Sequence, residues 1–515
     1  MDLRRVASAL SNNCLTDSDC VPLNIFGGQG SITQEMVNYI TRDTDDRNNN
    51  RLHVFEAGLN SDIWQLPAGN VNMSLSYQYR NEKVYQTLDE LFISKSSVDT
   101  FSFANTRGSV DVNEVSMKLA IPLTENLGLN LASNYAKFDF TQGEFSGGMA
   151  VNFMPTKSLQ LNLQYSINRN APNLIELYRD TSSVDNQSFS DPCEGNSELP
   201  GCPSGAGNFV SDVFASISFS GNPQLELEKS KFAQLSLEYR PEQVENLRIN
   251  VQLFKQKVSN LVSKISAQRT INACAYTGTV YCDNITRLDT TPFYVTEVRT
   301  QYENDGELAT SGIDLRLDYR LITQWADFDL NWQSVYLKDL TFSEKNYVLN
   351  NTSESSILSL ENNNRELPRI KSNLNLGMHK DNWSLNYQWR YVAGYEERCN
   401  IPFDSIQFTD NPNAVGGVIP EDFRWCTYGA EILSTIGVQP TLDELQNLRH
   451  VGGTTFQDLN ITYHLSEYNT KIVLGVENVF DKTPPLSAQA GQNSYYTYLY
   501  NGTGRFFWVR LSKEF

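Results

Sequence analysis

The sequence predicts an all-β fold, a transmembrane antiparallel β-barrel. Three observations favour this class: long segments in which apolar and polar residues alternate, connections that are alternately short and long, and a last strand that leads to a terminal phenylalanine. The chain has 515 residues and a mean hydropathy of −0.41. That value suits a barrel, because only one face of each barrel strand is apolar. No run approaches the roughly 20 apolar residues that a membrane-spanning helix requires.

Period-two alternation predicts the strands. It is clearest in residues 71–79, 159–168, 313–320, 383–390 and 458–465. Successive side chains of a strand point to opposite faces, so each segment has one apolar and one polar face. Aromatic residues lie toward the segment ends, as in the interfacial girdles of membrane barrels. The segments approach ten residues, longer than the roughly five or six of a soluble sandwich strand and long enough to cross a bilayer at a tilt.

The connections alternate in length along the chain. Short ones are predicted near residues 66–69, 122–126, 154–157, 241–246, 323–325, 380–381 and 466–469. The others are predicted over residues 81–109, 139–143, 170–227, 265–300, 342–365, 396–450 and 479–501. Outer-membrane barrels have tight periplasmic turns and long extracellular loops. The pattern therefore predicts about fifteen strands, the first near residues 52–65, and an extracellular segment over residues 1–50.

The C-terminus carries a candidate signal for the barrel-assembly machinery, which consists of Phe507, Val509, Leu511 and Phe515. Single-chain bacterial barrels have an even number of strands, whereas the predicted count is odd. An open sheet edge in lipid leaves backbone groups without partners. We therefore expect that a strand preceding residues 1–50 is missing, and we do not expect this chain alone to form a sealed barrel.

The eight cysteines form four local pairs: Cys14/Cys20, Cys193/Cys202, Cys274/Cys282 and Cys399/Cys426. Each pair lies in a segment rich in Asn, Asp, Gly, Ser or Pro, and none has the close spacing of a zinc site. Free thiols would include some in apolar strands, where no cysteine occurs. Local disulfides in loops outside the cell are therefore predicted.

The composition argues against several classes of function. A net charge of −19 opposes nucleic-acid binding, which requires a basic surface. The four histidines have no metal-ligand spacing, and the chain lacks a nucleophile elbow and a phosphate loop. No catalytic residue, metal or cofactor is predicted, and an enzyme is not expected. Asp314, Arg316, Asp318 and Arg320 share the polar face of one strand, where we expect a charge ladder in the barrel lumen.

Aromatic residues of the long loops are the candidate ligand contacts. They are Tyr395, Trp425, Tyr495, Tyr496, Tyr498 and Tyr500. Such rings can stack on sugars or enclose the apolar part of a ligand. Packing of the loops against one another is the alternative role, and the sequence leaves both open.

Five segments resemble parts of TonB-dependent receptors. They are residues 168–178 (NRNAPNLIELY), 221–230 (GNPQLELEKS), 304–317 (NDGELATSGIDLRL), 475–485 (GVENVFDKTPP) and 20–28 (CVPLNIFGG). In the first, Asn170 replaces the usual arginine. The segments follow the family's order and strand positions, and the resemblance extends over nearly the whole chain.

The resemblance implies a twenty-two-stranded barrel, of which about fifteen strands are the last two-thirds, closed in the family by an N-terminal plug. Plug and energy-coupling box have no counterpart in these residues. It further implies TonB-dependent uptake of a siderophore, cobalamin, glycan or peptide in the bacterial outer membrane. The implied partners are outer-membrane lipid, the assembly machinery, the TonB complex and the small-molecule or oligomeric ligand.

Two other functions fit part of the pattern. A passive outer-membrane porin requires an even strand count and a charged constricting loop. A soluble secreted β-rich carbohydrate-active protein requires the apolar strand faces to form one packed core. The length of the strands and their aromatic ends favour a membrane barrel over the soluble alternative.

Overall fold

The computed structural model describes residues 1–94, 104–194, 198–204, 212–289, 293–346, 351–356, 367–396, 450–487, 490 and 495–513. The helices of this part are α1 (Leu3–Ala9), α2 (Gln34–Ile40), α3 (Glu90–Ile93), α4 (Leu174–Tyr178) and α5 (Ala267–Thr277), with 3-10 turns at Asn12–Leu15, Cys282–Asn284 and Ser466–Tyr468. None of these helices is long and apolar enough to cross a membrane.

The strands are β1 (Arg47–Leu66), β2 (Gly69–Thr87), β3 (Thr106–Thr124), β4 (Leu127–Phe138), β5 (Glu144–Thr156), β6 (Leu159–Asn170), β7 (Ser182–Ser190), β8 (Asp212–Ser220), β9 (Glu228–Tyr239), β10 (Leu247–Lys264), β11 (Ile285–Arg287), β12 (Val295–Ile322), β13 (Asp327–Asn346), β14 (Asn351–Ser356), β15 (Ile370–Lys380), β16 (Trp383–Val392), β17 (Tyr395–Glu396), β18 (His450–Val451), β19 (Thr454–Leu465), β20 (Thr470–Glu477) and β21 (Phe506–Lys513).

Fifteen of these strands form one antiparallel meander, the barrel sheet. In it β1, β2, β3, β4, β5, β6, β9, β10, β12, β13, β15, β16, β19, β20 and β21 pair successively. The predicted fold class and strand number are confirmed. Within the described ranges, β1 pairs only with β2 and β21 only with β20, so the sheet has two edges.

Connections at the two ends of the barrel sheet differ in length. One end, the turn end, has compact connections such as residues 67–68, 125–126 and 381–382. Asp381, Asn246 and Asn469 have positive φ in such turns, a conformation that Asn and Asp adopt more readily than other side chains. The opposite end, the loop end, carries the longer connections, apart from the short one at residues 139–143. The predicted alternation is therefore present.

Several strands continue further toward the loop end than the sequence indicated. β1 begins at Arg47, β2 ends at Thr87 and β12 begins at Val295, although loops were predicted over 81–109 and 265–300. The added lengths are stabilised by ladders, since Arg47 pairs with Thr87 and the start of β12 pairs with β8 and β11. Pairing between distant segments overrides the weak local alternation there.

The two faces of the barrel sheet have opposite character. Apolar side chains align from strand to strand on the outer face and are 38–53% exposed, as Leu253, Ile313, Leu376, Ile461 and Leu474 show. A continuous band of exposed apolar side chains is typical of a surface that contacts lipid. The inner face carries polar residues. In β21, Phe507, Val509 and Leu511 are exposed, whereas Phe515 lies outside the described residues.

A second sheet stands on the loop end. β7, β8 and β11 join the first residues of β12 in it, and α5 packs on this sheet. We refer to β7, β8, α5, β11 and residues 295–301 as the cap. Phe189, Ala215, Ile271, Val295 and Val298 form its core and are at most 5% exposed. The cap thus has a hydrophobic core outside the barrel sheet.

Candidate ligand-binding site at the loop end

Three of the candidate tyrosines, from distant connections of the chain, meet at the loop end. Tyr395, Tyr496 and Tyr500 are 1%, 6% and 3% exposed and pack with Val451 and Phe456. The ring centroids of Tyr395 and Tyr496 are 6.1 Å apart, and those of Phe456 and Tyr500 are 6.3 Å apart. These three tyrosines pack the loops against one another, because burial leaves their rings little surface for a ligand.

Two further tyrosines present surface to solvent. Tyr498 is 50% exposed and its ring centroid is 5.2 Å from that of Tyr496. Tyr495 is half-buried. With Thr497, Leu499, Tyr500, Asn501 and Gly502 these two line an open depression of about 400 Å³. Trp425, Cys399 and Cys426 lie outside the described residues.

Three disulfides join the cysteines that the sequence paired: Cys14–Cys20, Cys193–Cys202 and Cys274–Cys282. The last two lie in different connections, yet both belong to the cap region. The amide of Gly201 donates to the carbonyl of Ala275 over 3.0 Å. The two stapled loops therefore pack into one unit.

A buried pair of charges completes the cap. The guanidinium of Arg287 donates to both carboxylate oxygens of Asp191, whose side chain is fully buried. The amide of Cys193 also donates to this carboxylate, over 3.1 Å. Asp191 thus links the loop closed by the Cys193–Cys202 disulfide to β11.

A compact core closes part of the inner face near the loop end, and we call it the inner mouth. Leu177 of α4 and Leu225 are 1% and 2% exposed and pack on Val110, Val112 and Phe138. Val112 belongs to the inner face, because it alternates with Val115 and Met117 of the outer face and pairs with Arg80. Helix α4 begins with a capping box between Asn173 and Glu176. The helix therefore covers the inner wall of β3 and β4.

Three segments that resemble the family meet at the inner mouth. The Asn222 side chain donates to the Tyr302 carbonyl over 2.9 Å, and the Asn304 side chain accepts from the Glu226 amide over 2.8 Å. The Asn222 amide donates to the Glu176 carbonyl over 2.7 Å. In the sequence these segments are recognised only by their resemblance, but their hydrogen bonds join α4, the segment that precedes β9, and β12.

The inner mouth holds charged groups in partly dry surroundings, well beyond the apolar band. Burial raises the pKa of Glu176, and Glu228 raises it further. Burial likewise raises the pKa of Tyr302. Loss of surrounding water lowers the pKa of Lys264, and the positive charge of Arg179 lowers it further. Sequence reasoning missed Arg179 and Lys264, because no local pattern connects residues so far apart.

Three residues of the predicted charge ladder form ion pairs on the inner face, whereas Asp314 forms none with the described residues. Asp318 accepts from Arg248 of the adjacent strand over 2.6 Å and from Arg316 over 2.9 Å. Arg320 pairs with Asp327 over 3.1 Å. Because the opposite charges in these ion pairs compensate one another, a structural role is favoured over a ligand site. Among the described residues no cluster of His, Cys, Asp or Glu could hold a metal ion.

Solved structures show the same fold. A mutant of the ferric enterobactin receptor PfeA from Pseudomonas aeruginosa matches with 15% identity and a TM-score of 0.55, over 90% of this chain and 54% of that chain. The siderophore receptor PirA from Acinetobacter baumannii matches with 13% identity and a TM-score of 0.55, over 92% and 56%. The outer membrane transporter YddB from Escherichia coli matches with 11% identity and a TM-score of 0.55, over 91% and 55%.

The chain spans about half the length of these structures. No curated protein sequence matches it. The family model described as "TonB dependent receptor-like, beta-barrel" matches residues 9–479. Members of this family are transporters of the Gram-negative outer membrane and not enzymes. Fold and family model agree, and the chain belongs to the TonB-dependent receptor β-barrels.

Proposed function

We propose that this protein forms the barrel wall of a receptor that imports a scarce nutrient across the outer membrane with energy from the TonB complex. The family match over residues 9–479 is the observation that supports this most strongly. The polar inner face of the barrel sheet and the folded cap at its loop end are consistent with this function. The ligand belongs to the siderophore, cobalamin, glycan or peptide class. Two similar structures are siderophore receptors, so a ferric siderophore is the first ligand to test.

In this proposal the chain forms a single barrel domain with the loop end outside the cell. β1 runs from the loop end to the turn end, which puts residues 1–46 outside as well. The cap and the depression beside Tyr498 then face the medium. A protease added to intact cells should cut at these segments before it cuts at the turn end.

Uptake in living cells tests the function. The gene that encodes this chain is deleted in cells with and without TonB, and import of labelled ferric siderophores, cobalamin, oligosaccharides and peptides is measured. The proposal expects saturable import of one class that requires both the gene and TonB. Import that requires the gene but not TonB, and that rises linearly with concentration, would support a passive porin instead.

Matched tyrosine variants test the ligand contact. Tyr498 is exposed and Tyr500 is buried, although both line the same depression. Tyr498→Ala should weaken ligand binding and leave the protein's thermal stability unchanged. Tyr500→Ala should lower stability, since truncating a buried aromatic residue costs about 3–5 kcal/mol. Unchanged binding in Tyr498→Ala would remove this residue from the site.

A further inference from the structure

Two cations share one aromatic ring at the inner mouth. Nζ of Lys264 is 3.9 Å from the ring centroid of Phe219, and Cζ of Arg179 is 5.4 Å from the same centroid. The ring of Tyr302 meets Phe219 edge-on, with centroids 4.8 Å apart. β10 brings Lys264 directly opposite Tyr302 in the ladder with β12. Four residues of four segments thus surround one point.

The group lies on the inner side and beyond the membrane. Val262 and Tyr302 pack against the core of the inner mouth, and Lys264 points the same way as Val262 because the two are two residues apart. The outer apolar row of β10 ends at Leu253, where Lys255 follows on that face. From there to Lys264 the strand runs roughly 35 Å further. Lipid therefore does not reach the pair.

Neither cation has an acidic partner among the described residues. Arg179 donates to the hydroxyl of Ser182 over 3.0 Å, and its buried Nε has no acceptor there. Lys264 makes no ion pair in this part of the chain. Two like charges on one ring repel each other, and an opposite charge between them would relieve that repulsion.

The nearby carboxylates are occupied elsewhere. Glu176 accepts from the Asn173 amide over 2.8 Å, and Glu228 accepts from the Val262 amide over 2.9 Å. Glu303 accepts from the Tyr281 hydroxyl over 2.8 Å, and Glu297 accepts from the Ser218 hydroxyl over 2.6 Å. Among the described residues, none of these four carboxylates forms an ion pair with Arg179 or Lys264. The positive charge at Phe219 is therefore left for an external group.

We propose that Arg179 and Lys264 form an anion site at the inner mouth, which takes a carboxylate or phosphate group of a ligand that enters from the loop end. Guanidinium and ammonium groups both bind oxyanions with charge-assisted hydrogen bonds. Lys264 is an exposed residue with a partly desolvated amine and supplies the accessible contact, and the hydrogen bond to Ser182 positions Arg179. That the anion belongs to an imported ligand rests on the proposed function, whereas anion binding itself does not.

Lysine labelling on the detergent-solubilised chain tests the site. An amine reagent is added with inorganic phosphate, with citrate, or with chloride at equal ionic strength, and labelling of each lysine is followed by mass spectrometry. Lys380 is the internal control, because its Nζ also lies over a ring, 4.8 Å from the centroid of Trp325. Phosphate or citrate should slow labelling of Lys264 severalfold and leave Lys380 unchanged. Anionic lipid vesicles should protect neither lysine.

Two substitutions at one position make the test specific. Arg179→Lys keeps the second cation and should keep the protection. Arg179→Gln should abolish it, and should also slow the basal labelling of Lys264, because the neighbouring positive charge no longer favours the neutral amine. Hydrogen exchange in α4 reports whether either variant disturbs the inner mouth.

Equal protection of Lys264 and Lys380, or unchanged protection in Arg179→Gln, would overturn the anion site. Protection by phosphate or citrate without TonB-dependent import in cells would support the anion site and contradict the proposed function. The two ideas can therefore fail separately.

Discussion

Removal of Arg287 tests whether the buried charge pair holds the cap together. The Asp191 side chain is 0% exposed and that of Arg287 is 14% exposed. In Arg287→Met the carboxylate stays buried, and within the described part of the chain the Cys193 amide is the hydrogen-bond donor that remains to it. Loss of one partner of a buried pair costs about 3–5 kcal/mol, because the other charge stays buried without compensation. The cap should therefore open far more often.

Hydrogen exchange measures that opening. A loss of 3–5 kcal/mol speeds exchange of cap amides by roughly 100- to 4000-fold. β7 and β8 report on the cap, and β15 and β16 of the barrel sheet serve as an internal reference. Replacing both partners, as Asp191→Leu with Arg287→Met, should restore much of the protection, since an apolar pair requires no counter-charge.

An exposed pair provides the comparison. Arg320 and Asp327 lie 3.1 Å apart with side chains 53% and 31% exposed. Arg320→Met should change local stability by about 0–1 kcal/mol. The buried pair does not stabilise the cap, and the reasoning is wrong, if Arg287→Met speeds exchange of cap amides no more than Arg320→Met speeds exchange of amides near residue 320.

Three other changes have defined outcomes. A Cβ on Gly108 would lie 2.1 Å from the ring of Tyr178 in α4, so Gly108→Ala should destabilise the inner mouth by about 1–3 kcal/mol. Gly58→Ala is the control, because a Cβ there would have its nearest neighbour at 3.7 Å. This variant should be nearly neutral in thermal melts. Burial raises the folded-state pKa of Glu176 above the usual 4.5, so its contribution to stability is full below that pH and is lost as the pH rises through the raised pKa. Glu176→Gln keeps the capping box and should flatten this slope in α4 exchange; an unchanged slope would assign it to another group. Serine in place of both Cys274 and Cys282 should cost the cap about 2–3 kcal/mol and leave barrel strands unaffected, measured by exchange in α5.

The barrel sheet was predictable because its strands obey a local rule. Residues 159–168 alternate strictly, and β6 extends over Leu159–Asn170. The cap was not predictable, since β8 pairs in parallel with β12 across some eighty residues of chain. No local pattern of the sequence specifies that ladder, so the cap segments appeared only as two separate loops.

The site was predictable in part. Their position in or beside the predicted long connections selected the tyrosines, and the structure brings Tyr395, Tyr496 and Tyr500 together. Whether a ring is buried depends on neighbours from other loops, which the sequence could not supply, and so packing and ligand contact remained open alternatives. Arg179 and Lys264 could not be paired from the sequence for the same reason, because both lie over Phe219, which comes from a third segment of the chain.

In the described part of the chain, the two edge strands of the barrel sheet, β1 and β21, run in the same direction. β1 and β21 both run from the loop end to the turn end, because β1 enters a short turn and β21 follows a long connection. Joined directly, they would form a parallel ladder. A second copy in the same membrane orientation would meet them in parallel too, since rotation about the membrane normal preserves strand direction. Antiparallel completion therefore takes an odd number of added strands, and any cylinder so formed has an even total.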